Sequence, residues 1–290
     1  MLGAWATASV AEGNQPPAPG SGEPAADAPA PMTEGEEESV PPRDDTATDT
    51  ATRAVEALVT DGLYLLTAPL RLDRETAVLA GGFTLGLTVL FLADREIRDQ
   101  VQAATGPTGR DAAKDVSRLG NRGLLIGFNF ALLALGFGEQ ATLNKTDLRD
   151  ASLVSLEALL FTYLLTDGFK RLVGRARPSA GQGAYHFDPF DNDHGFPSGH
   201  ASQTFAVAAV FADRYGGPVP ILAYGAAGLV AASRVVLDRH WAADVVAGSA
   251  LGIVVGRSLS RRHAENRRGF DFFPFVAGDG TVVAAAGVRF

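Results

Sequence analysis

Six apolar segments, rich in alanine, leucine and glycine, place the tightest limit on what this 290-residue chain can fold into. Thr76–Ala93 and Gly123–Gly138 contain no charged residue over 18 and 16 positions, and Ala151–Thr166 carries a single one. The other three segments are Ala201–Ala212, Tyr215–Ser233 and Val245–Gly256. Because the composition favours helix and apolar residues lie on all sides of each segment, the sequence predicts a mainly α protein built on a six-helix bundle.

The lengths of these segments are compatible with two environments. A helix of 18 residues reaches about 27 Å, slightly less than the ~30 Å hydrocarbon core of a bilayer. The fourth and sixth segments are shorter and would span a membrane only if polar residues at their starts lie in the interface. We therefore favour six short membrane spans, and a soluble domain of buried helices is the alternative.

The first 50 residues differ in composition from the rest of the chain. They contain ten acidic residues, one basic residue and eight of the sixteen prolines, which gives a net charge of −9, whereas residues 51–290 carry +1. Such a segment buries too little apolar surface to fold, so residues 1–50 are predicted to be a disordered acidic leader. Since the folded part is nearly neutral, its charge does not indicate a nucleic-acid partner.

The C-terminal residues predict a different secondary structure. Phe270–Ala277 and Thr281–Phe290 are rich in phenylalanine and valine and flank Gly278-Asp279-Gly280, a pattern typical of a β-hairpin. The predicted domains are therefore the leader, a helical domain over residues 51–265 that opens with an amphipathic helix, and a tail over residues 266–290.

Three polar motifs lie at the ends of apolar segments, and the first is Phe196-Pro197-Ser198-Gly199-His200. Ser198 is a suitable N-cap residue, and Gly199 lets the backbone approach a ligand. The N–H groups at a helix N-terminus can bind a phosphate, although an ordinary capped helix start explains the same residues.

The second motif surrounds His240 and Asp244, which share a helix face if the helix begins near His240. A carboxylate that accepts from one imidazole nitrogen leaves the other nitrogen free to act as a nucleophile. The alternative is a surface ion pair. Arg234, at the end of the preceding apolar segment, is either a phosphate ligand or an interfacial anchor.

The third motif places Lys170, Arg171, Arg175 and Arg177 within eight residues. A basic cluster beside a membrane span is one explanation. A phosphate site is the other, because arginine can clamp two oxygens while lysine acts as a point charge. Without cysteine, the chain has no thiolate metal sites and no thiol nucleophile.

Together, these motifs resemble the three-part signature of the type-2 phosphatidic acid phosphatase family, whose superfamily also contains the vanadium-dependent haloperoxidases. The matching positions are Lys170-x6-Arg177-Pro178, Pro197-Ser198-Gly199-His200, and Ser233-Arg234-x5-His240-x3-Asp244. The motifs lie within residues 170–244, and the surrounding apolar segments extend the likeness to about residues 76–257.

The resemblance implies a role for each matching residue. Lys170, Arg177 and Arg234 would bind the phosphoryl oxygens together with Ser198 and the Gly199 backbone N–H. His240 would attack phosphorus and form a phosphohistidine, Asp244 would orient His240, and His200 would protonate the leaving oxygen.

The predicted function is therefore that of an acid-phosphatase-type hydrolase of phosphoric monoesters or diphosphates, acting on a lipid phosphate or lipid diphosphate without a metal ion or other cofactor. The resemblance implies a cell-membrane protein whose active site faces away from the cytoplasm, and a soluble or peripheral periplasmic enzyme is the alternative. A vanadate-dependent haloperoxidase and a non-catalytic lipid-binding protein of the same fold are the other functions considered.

Overall fold

The computed structural model describes residues 47–143, 147–190, 194–266, 269–276 and 282–289. This part of the chain forms eight α-helices: α1 (Ala47–Leu66), α2 (Arg74–Ala104), α3 (Pro107–Leu119), α4 (Arg122–Leu143), α5 (Asp147–Val173), α6 (Gly199–Arg214), α7 (Val219–Val236) and α8 (Ala242–Asn266). The predicted mainly α class is therefore correct. Residues 1–46 of the predicted leader lie outside the described residues, and α1 begins four residues before the predicted end of that leader.

The predicted count of six helices is wrong, because the described residues contain eight. The amphipathic segment before the bundle is the separate helix α1, which ends before Pro69. Helix α3 lies between the first two predicted apolar segments, where no helix was predicted. Helix α2 continues past Ala93, because the first charged residue, Asp94, is buried and paired with Arg175 while Arg95 and Glu96 are exposed. Pro107 then starts α3 at its first turn.

Five of the described helices are long and apolar enough to cross a membrane: α2, α4, α5, α7 and α8. Large apolar side chains on their outer faces are exposed, for example Val78, Leu85, Leu135, Leu229 and Val254, each by more than half of its surface. A lipid environment accounts for this surface, because soluble monomers rarely expose such large apolar areas. These helices indicate a membrane protein with five candidate spans instead of the six predicted.

Helix α6 corresponds to the predicted span that is missing from this set. It has only 16 residues, and almost every side chain from Ala201 to Val210 is buried. It packs between α5, α7 and α8, so that its apolar character serves the protein interior.

Glycines bring α8 very close to α6. A side chain at Gly248, Gly252 or Gly256 would collide with backbone atoms of α6. The three glycines are spaced four residues apart and therefore form one stripe along α8. Such a stripe lets two helix backbones approach closely, and here it fixes the position of α6 along the axis of α8.

A buried polar cluster attaches α1 to the bundle. His263 Nε2 of α8 lies 2.8 Å from Glu157 Oε2 of α5 and 3.5 Å from Asp61 Oδ2 of α1. The Arg262 guanidinium also donates to Asp61. Beside the cluster, Leu65 of α1 enters a core formed by α5, α6 and α8.

The C-terminal residues form two strands, β1 (Gly269–Val276) and β2 (Val282–Arg289), which pair antiparallel with Gly269 opposite Arg289. The predicted turn at Gly278-Asp279-Gly280 lies outside the described residues, so the complete hairpin stays a prediction. The division into leader, helical domain and tail is likewise a proposal.

Candidate active site

The three sequence motifs meet at one end of the bundle. Helices α5 to α8 follow one another as antiparallel neighbours, so the end of α5, the start of α6, the end of α7 and the start of α8 lie at the same end. The backbone N–H of Ser198 donates to the carbonyl of Asp244 over 2.9 Å, and that of His240 donates to the carbonyl of Arg234 over 3.3 Å. The first bond joins the Ser198 motif to the His240–Asp244 motif, and the second orders the α7–α8 turn.

The start of α6 forms an N-terminus suited to an anion. Ser198 is the N-cap residue in extended conformation and is fully buried, yet its Oγ has no hydrogen-bond partner in the described part of the structure. Gly248 lies directly behind the Ser198 backbone, where a side chain would collide. The first-turn N–H groups of α6 are therefore held in place and can receive a phosphate.

Each of the predicted cations belongs to a fixed segment near this N-terminus. Lys170, in the last turn of α5, donates from Nζ to the carbonyl of His194 over 2.7 Å. Arg234, in the last turn of α7, donates to Ser117 Oγ over 2.5 Å. Arg177 is half-buried and directly precedes a 3-10 turn that starts at Pro178.

His240 and Asp244 lie next to each other, although α8 begins only at Ala242. His240 is 4% exposed and Asp244 is fully buried. The distance from His240 Nδ1 to Asp244 Oδ2 is 3.7 Å, longer than a hydrogen bond, so Nδ1 faces the carboxylate without bonding to it. The Asp244 carboxylate accepts instead from the Trp241 backbone N–H over 3.0 Å.

Both histidines of the site are neutral at ordinary pH. Burial lowers the pKa of His240 from 6.5 to about 4, against the opposing effect of Asp244, and Lys170 and Arg234 lower it further. Burial and the charge of Arg234 also lower the pKa of His200 to about 4. Because a neutral imidazole has a free lone pair, His240 is prepared for nucleophilic attack.

His200 projects from the first turn of α6 against the turn between α3 and α4. A side chain at Gly120 would lie 3.0 Å from Cδ2 of His200, so glycine is needed there for close packing. Arg234, His240, Arg177 and Lys170 lie close enough to His200 to influence the pKa of its imidazole. The predicted site residues are thus gathered around one helix N-terminus, while their roles stay predictions.

Residues 151–268 match the family model described as the PAP2 superfamily. This region belongs to the PAP2 superfamily. It contains all the residues of the three motifs.

Relatives of known name share parts of the PAP2 region. Over 64 residues, 21% of this chain and 14% of the relative, the sequence is 44% identical to lipid A 1-phosphatase of Porphyromonas gingivalis. Over 87 residues, 30% of this chain and 47% of the relative, it is 38% identical to decaprenylphosphoryl-5-phosphoribose phosphatase of Mycobacterium tuberculosis. The chain spans less than half the length of these two relatives.

A solved structure resembles the fold as well. The transmembrane PAP2-type phosphatidylglycerolphosphate phosphatase from Bacillus subtilis aligns with a TM-score of 0.50 and 21% identity. The alignment covers 63% of this chain and 95% of that chain. At this identity, the likeness concerns the fold alone.

Sequence reasoning missed two charged residues in contact with the PAP2 motifs. Arg175 is fully buried, and its guanidinium lies 2.7 Å from Asp244 Oδ1 and 2.7 Å from Asp94 Oδ2. The only sequence signals were a fourth cation in the Lys170 cluster and a charge at the end of the first apolar segment. Neither signal identifies its partner, because Asp94 and Arg175 are 81 residues apart.

The turn that carries His240 is also held from α2. Asp238 adopts a left-handed backbone conformation with a φ of 58°, which is uncommon for a residue other than glycine. Arg98 donates to both of its carboxylate oxygens, over 2.6 and 2.8 Å. A bidentate pair of this kind fixes the turn before α8 in one position.

The loop between Arg177 and Ser198 folds back onto the bundle. Tyr185 donates to the carbonyl of Leu92 over 3.1 Å, and Phe187 stacks on Phe91 with ring centres 5.9 Å apart. Phe190 is 75% exposed. These aromatic residues thus combine packing against α2 with exposed surface, while Asp191 and Asp193 lie outside the described residues.

A metal ion has one candidate position among the described residues, and it is not at the PAP2 motifs. The ligand atoms of Asp61, Glu157 and His263 lie within 4.8 Å of one another. His263 and Arg262 already contact these carboxylates, so the charges of the cluster can balance without an ion. The prediction of a metal-free site remains a prediction.

Proposed function

We propose that this chain is a phosphatase that hydrolyses a lipid phosphate or lipid diphosphate through a phosphohistidine on His240, without a metal ion. The observation that carries the proposal is the meeting of Lys170, Arg177 and Arg234 with His200 and His240 at the N-terminus of α6. Such a site offers fixed positive charge to phosphoryl oxygens and two imidazoles for nucleophilic and acid–base chemistry.

The first half of the reaction uses the imidazole nitrogen that faces away from Asp244. Since Nδ1 lies 3.7 Å from Asp244 Oδ2, Nε2 is the atom that attacks phosphorus. The N–P bond forms as the P–O bond to the lipid breaks, and the departing oxygen takes the proton of His200. Asp244 stabilises the positive charge that His240 gains.

The second half returns the site to its starting state. His200, now neutral, accepts a proton from water as the water oxygen attacks the phosphohistidine. The N–P bond breaks, inorganic phosphate leaves, and His240 is neutral again. The negative charge of the bound phosphate favours the protonated form of His200 that the first half needs, which offsets the burial of its imidazole.

In this proposal, fixed cationic side chains stabilise the charge on the phosphoryl oxygens, as Mg²⁺ does in many phosphoryl-transfer enzymes. Charge is spread over the three equatorial oxygens in the transition state, and preorganised donors stabilise it with little reorganisation. Lys170, Arg177, Arg234 and the N–H groups of α6 are the donors proposed here.

A lipid substrate fits the position of the site at the ends of the candidate spans. The phosphate would enter between the helix ends, while its apolar chains would remain beside the exposed apolar faces of α2 and α5. The names of both relatives, which refer to phosphatases of lipid A and of a decaprenyl compound, support a lipid substrate. We place the active face outside the cytoplasm, as the family resemblance implies.

Phosphate release in EDTA tests this function, with a panel of lipid and soluble phosphate esters as substrates. We expect the wild-type chain to release phosphate and His240→Ala to lose about 1,000-fold or more of kcat. His186→Ala is the matched control, because His186 is exposed and lies in the loop between the motifs. It should keep wild-type activity.

Four results would contradict the proposal. Equal activity in wild type and His240→Ala would exclude His240 as the nucleophile, and activity only after metal is restored would exclude the metal-free mechanism. Halide oxidation with vanadate and peroxide, in the absence of phosphate release, would favour the haloperoxidase. Lipid binding without turnover of any ester would favour the non-catalytic protein.

A further inference from the structure

Arg175 is an ion completely enclosed by protein, and its guanidinium is shared between two carboxylates. One terminal nitrogen donates to Asp244 Oδ1 and the other to Asp94 Oδ2, both over 2.7 Å. Its Nε donates to the carbonyl of Ala184 over 3.0 Å. A buried charge is stable only when it is paired and hydrogen-bonded, and this arginine meets both conditions.

The second carboxylate ties this arrangement to the backbone of α8. Asp94 Oδ1 accepts from the Ala243 N–H over 2.9 Å, one residue before Asp244. Asp94 belongs to α2, so a link runs from α2 through Arg175 to the residue that contacts His240. The guanidinium is also stacked 3.7 Å from the ring centre of Phe91, which limits its movement.

The contacts of Asp244 show what this link does at the site. Arg175 holds Oδ1, and the Trp241 N–H holds Oδ2, the oxygen that lies 3.7 Å from His240 Nδ1. With both oxygens held, the carboxylate cannot rotate away from the imidazole.

We propose that Arg175, braced by Asp94, is a positioning residue for the phosphoryl transfer: it holds the Asp244 carboxylate turned toward His240. This inference rests on the proposed function. Arg175 does not touch the substrate in this scheme, and it acts on the reaction through Asp244 alone. It lies inside the motif that runs from Lys170 to Arg177 but outside the positions that carry the family resemblance.

Arg175→Lys tests the inference, because lysine keeps the charge but cannot bridge two carboxylates and a carbonyl. We expect kcat to fall about 10- to 100-fold, as is typical for residues that orient a functional group, with KM within about threefold of wild type since the phosphate-binding cations are unchanged. Arg171→Lys is the matched control: this arginine is exposed, pairs with Asp167, and should tolerate the change.

A double-variant cycle separates positioning from general support of the structure. If Arg175 acts through Asp244, then Arg175→Lys in an Asp244→Asn background should cause no further loss of kcat. A further loss equal to that in the wild-type background would overturn the inference, as would full activity of Arg175→Lys or an equal loss in Arg171→Lys. If Arg175→Lys does not fold, Asp94→Asn is judged by the same criteria.

The same assay distinguishes a failure of this inference from a failure of the proposed function. Wild-type and His240→Ala proteins are measured in parallel. An inactive wild type, or an active His240→Ala, overturns the function itself. An active wild type and an inactive His240→Ala, with no effect of Arg175→Lys, overturn only the role of Arg175.

Discussion

His240, the proposed nucleophile, carries a cost in stability. Its imidazole is 4% exposed, and its pKa of about 4 lies well below the 6.5 of an imidazole in water. Between these two values the unfolded chain binds a proton at this position and the folded chain does not. Stability is therefore lost as the pH falls from 6.5 toward 4.

His240→Gln should reduce this sensitivity to acid. Glutamine does not titrate, so the variant should lose about 2 kcal/mol less of its free energy of unfolding than the wild type between pH 7 and pH 4.5. Chemical denaturation in detergent micelles at a series of pH values measures the difference. The same acid loss in both proteins would mean that His240 is not buried in its neutral form.

The residues of the site differ in how far they can be predicted from the sequence. Ser198, His200, His240 and Asp244 stand at short fixed spacings beside apolar segments, and such local patterns can be read without a structure. The contact of Arg175 with Asp94 joins positions 81 apart, and nothing near either residue specifies it. Sequence reasoning therefore predicted the residues proposed to touch the substrate. It missed the role of Arg175, which is proposed to orient Asp244.

At the scale of elements, hydropathy predicts where helices exist and fails at their ends. Every predicted apolar segment lies within a helix except Tyr215–Ser233, which starts four residues before α7. The end of an uncharged run is not the end of a helix, so α2 extends eleven residues beyond Ala93. Helix α3 was missed because an apolar-run criterion does not detect a short helix rich in polar residues.

The packing of α6 against α8 yields a prediction that depends on a single methyl group. Gly252→Ala would place a Cβ against the Ser202 carbonyl and 2.9 Å from the Ala206 nitrogen, so the helices must separate. We expect a loss of about 1–3 kcal/mol in stability, the usual cost of overpacking. Thermal unfolding in detergent measures it.

Gly225→Ala is the control for that experiment. Gly225 lies on α7, and a Cβ there has no atom within 4 Å. The substitution should leave stability unchanged or raise it by up to about 1 kcal/mol, because alanine favours helix. Equal effects of the two substitutions would contradict the close packing of α6 and α8.

At the scale of the whole molecule, the lengths of the segments did not decide whether they cross a membrane, whereas their surroundings in the fold do. A span needs an apolar face with no protein partner, and α2 has such a face while α6 does not. This distinction depends on how the helices pack, so it could not be obtained from segment composition.

The orientation of the chain can be tested with single cysteines, because the sequence contains none. Gln182 is exposed in the loop between Arg177 and Ser198, and Gly216 is exposed at the opposite end of α6. In spheroplasts, we expect a membrane-impermeant maleimide to label Gln182→Cys at once and Gly216→Cys only after lysis. The reverse pattern would place the site in the cytoplasm, and equal labelling of both in spheroplasts would contradict a membrane-spanning arrangement.

The position of Trp241 has an optical consequence. Its indole is buried beside His240, donates to the carbonyl of Ala176 over 2.9 Å, and lies 5.4 Å from the Arg175 guanidinium. The chain contains one other tryptophan, Trp5, so Trp5→Phe leaves a single fluorophore one residue from the proposed nucleophile. Charge that appears or is neutralised at His240 would shift the emission of this indole, so the proposed phosphohistidine would be visible in real time without a label.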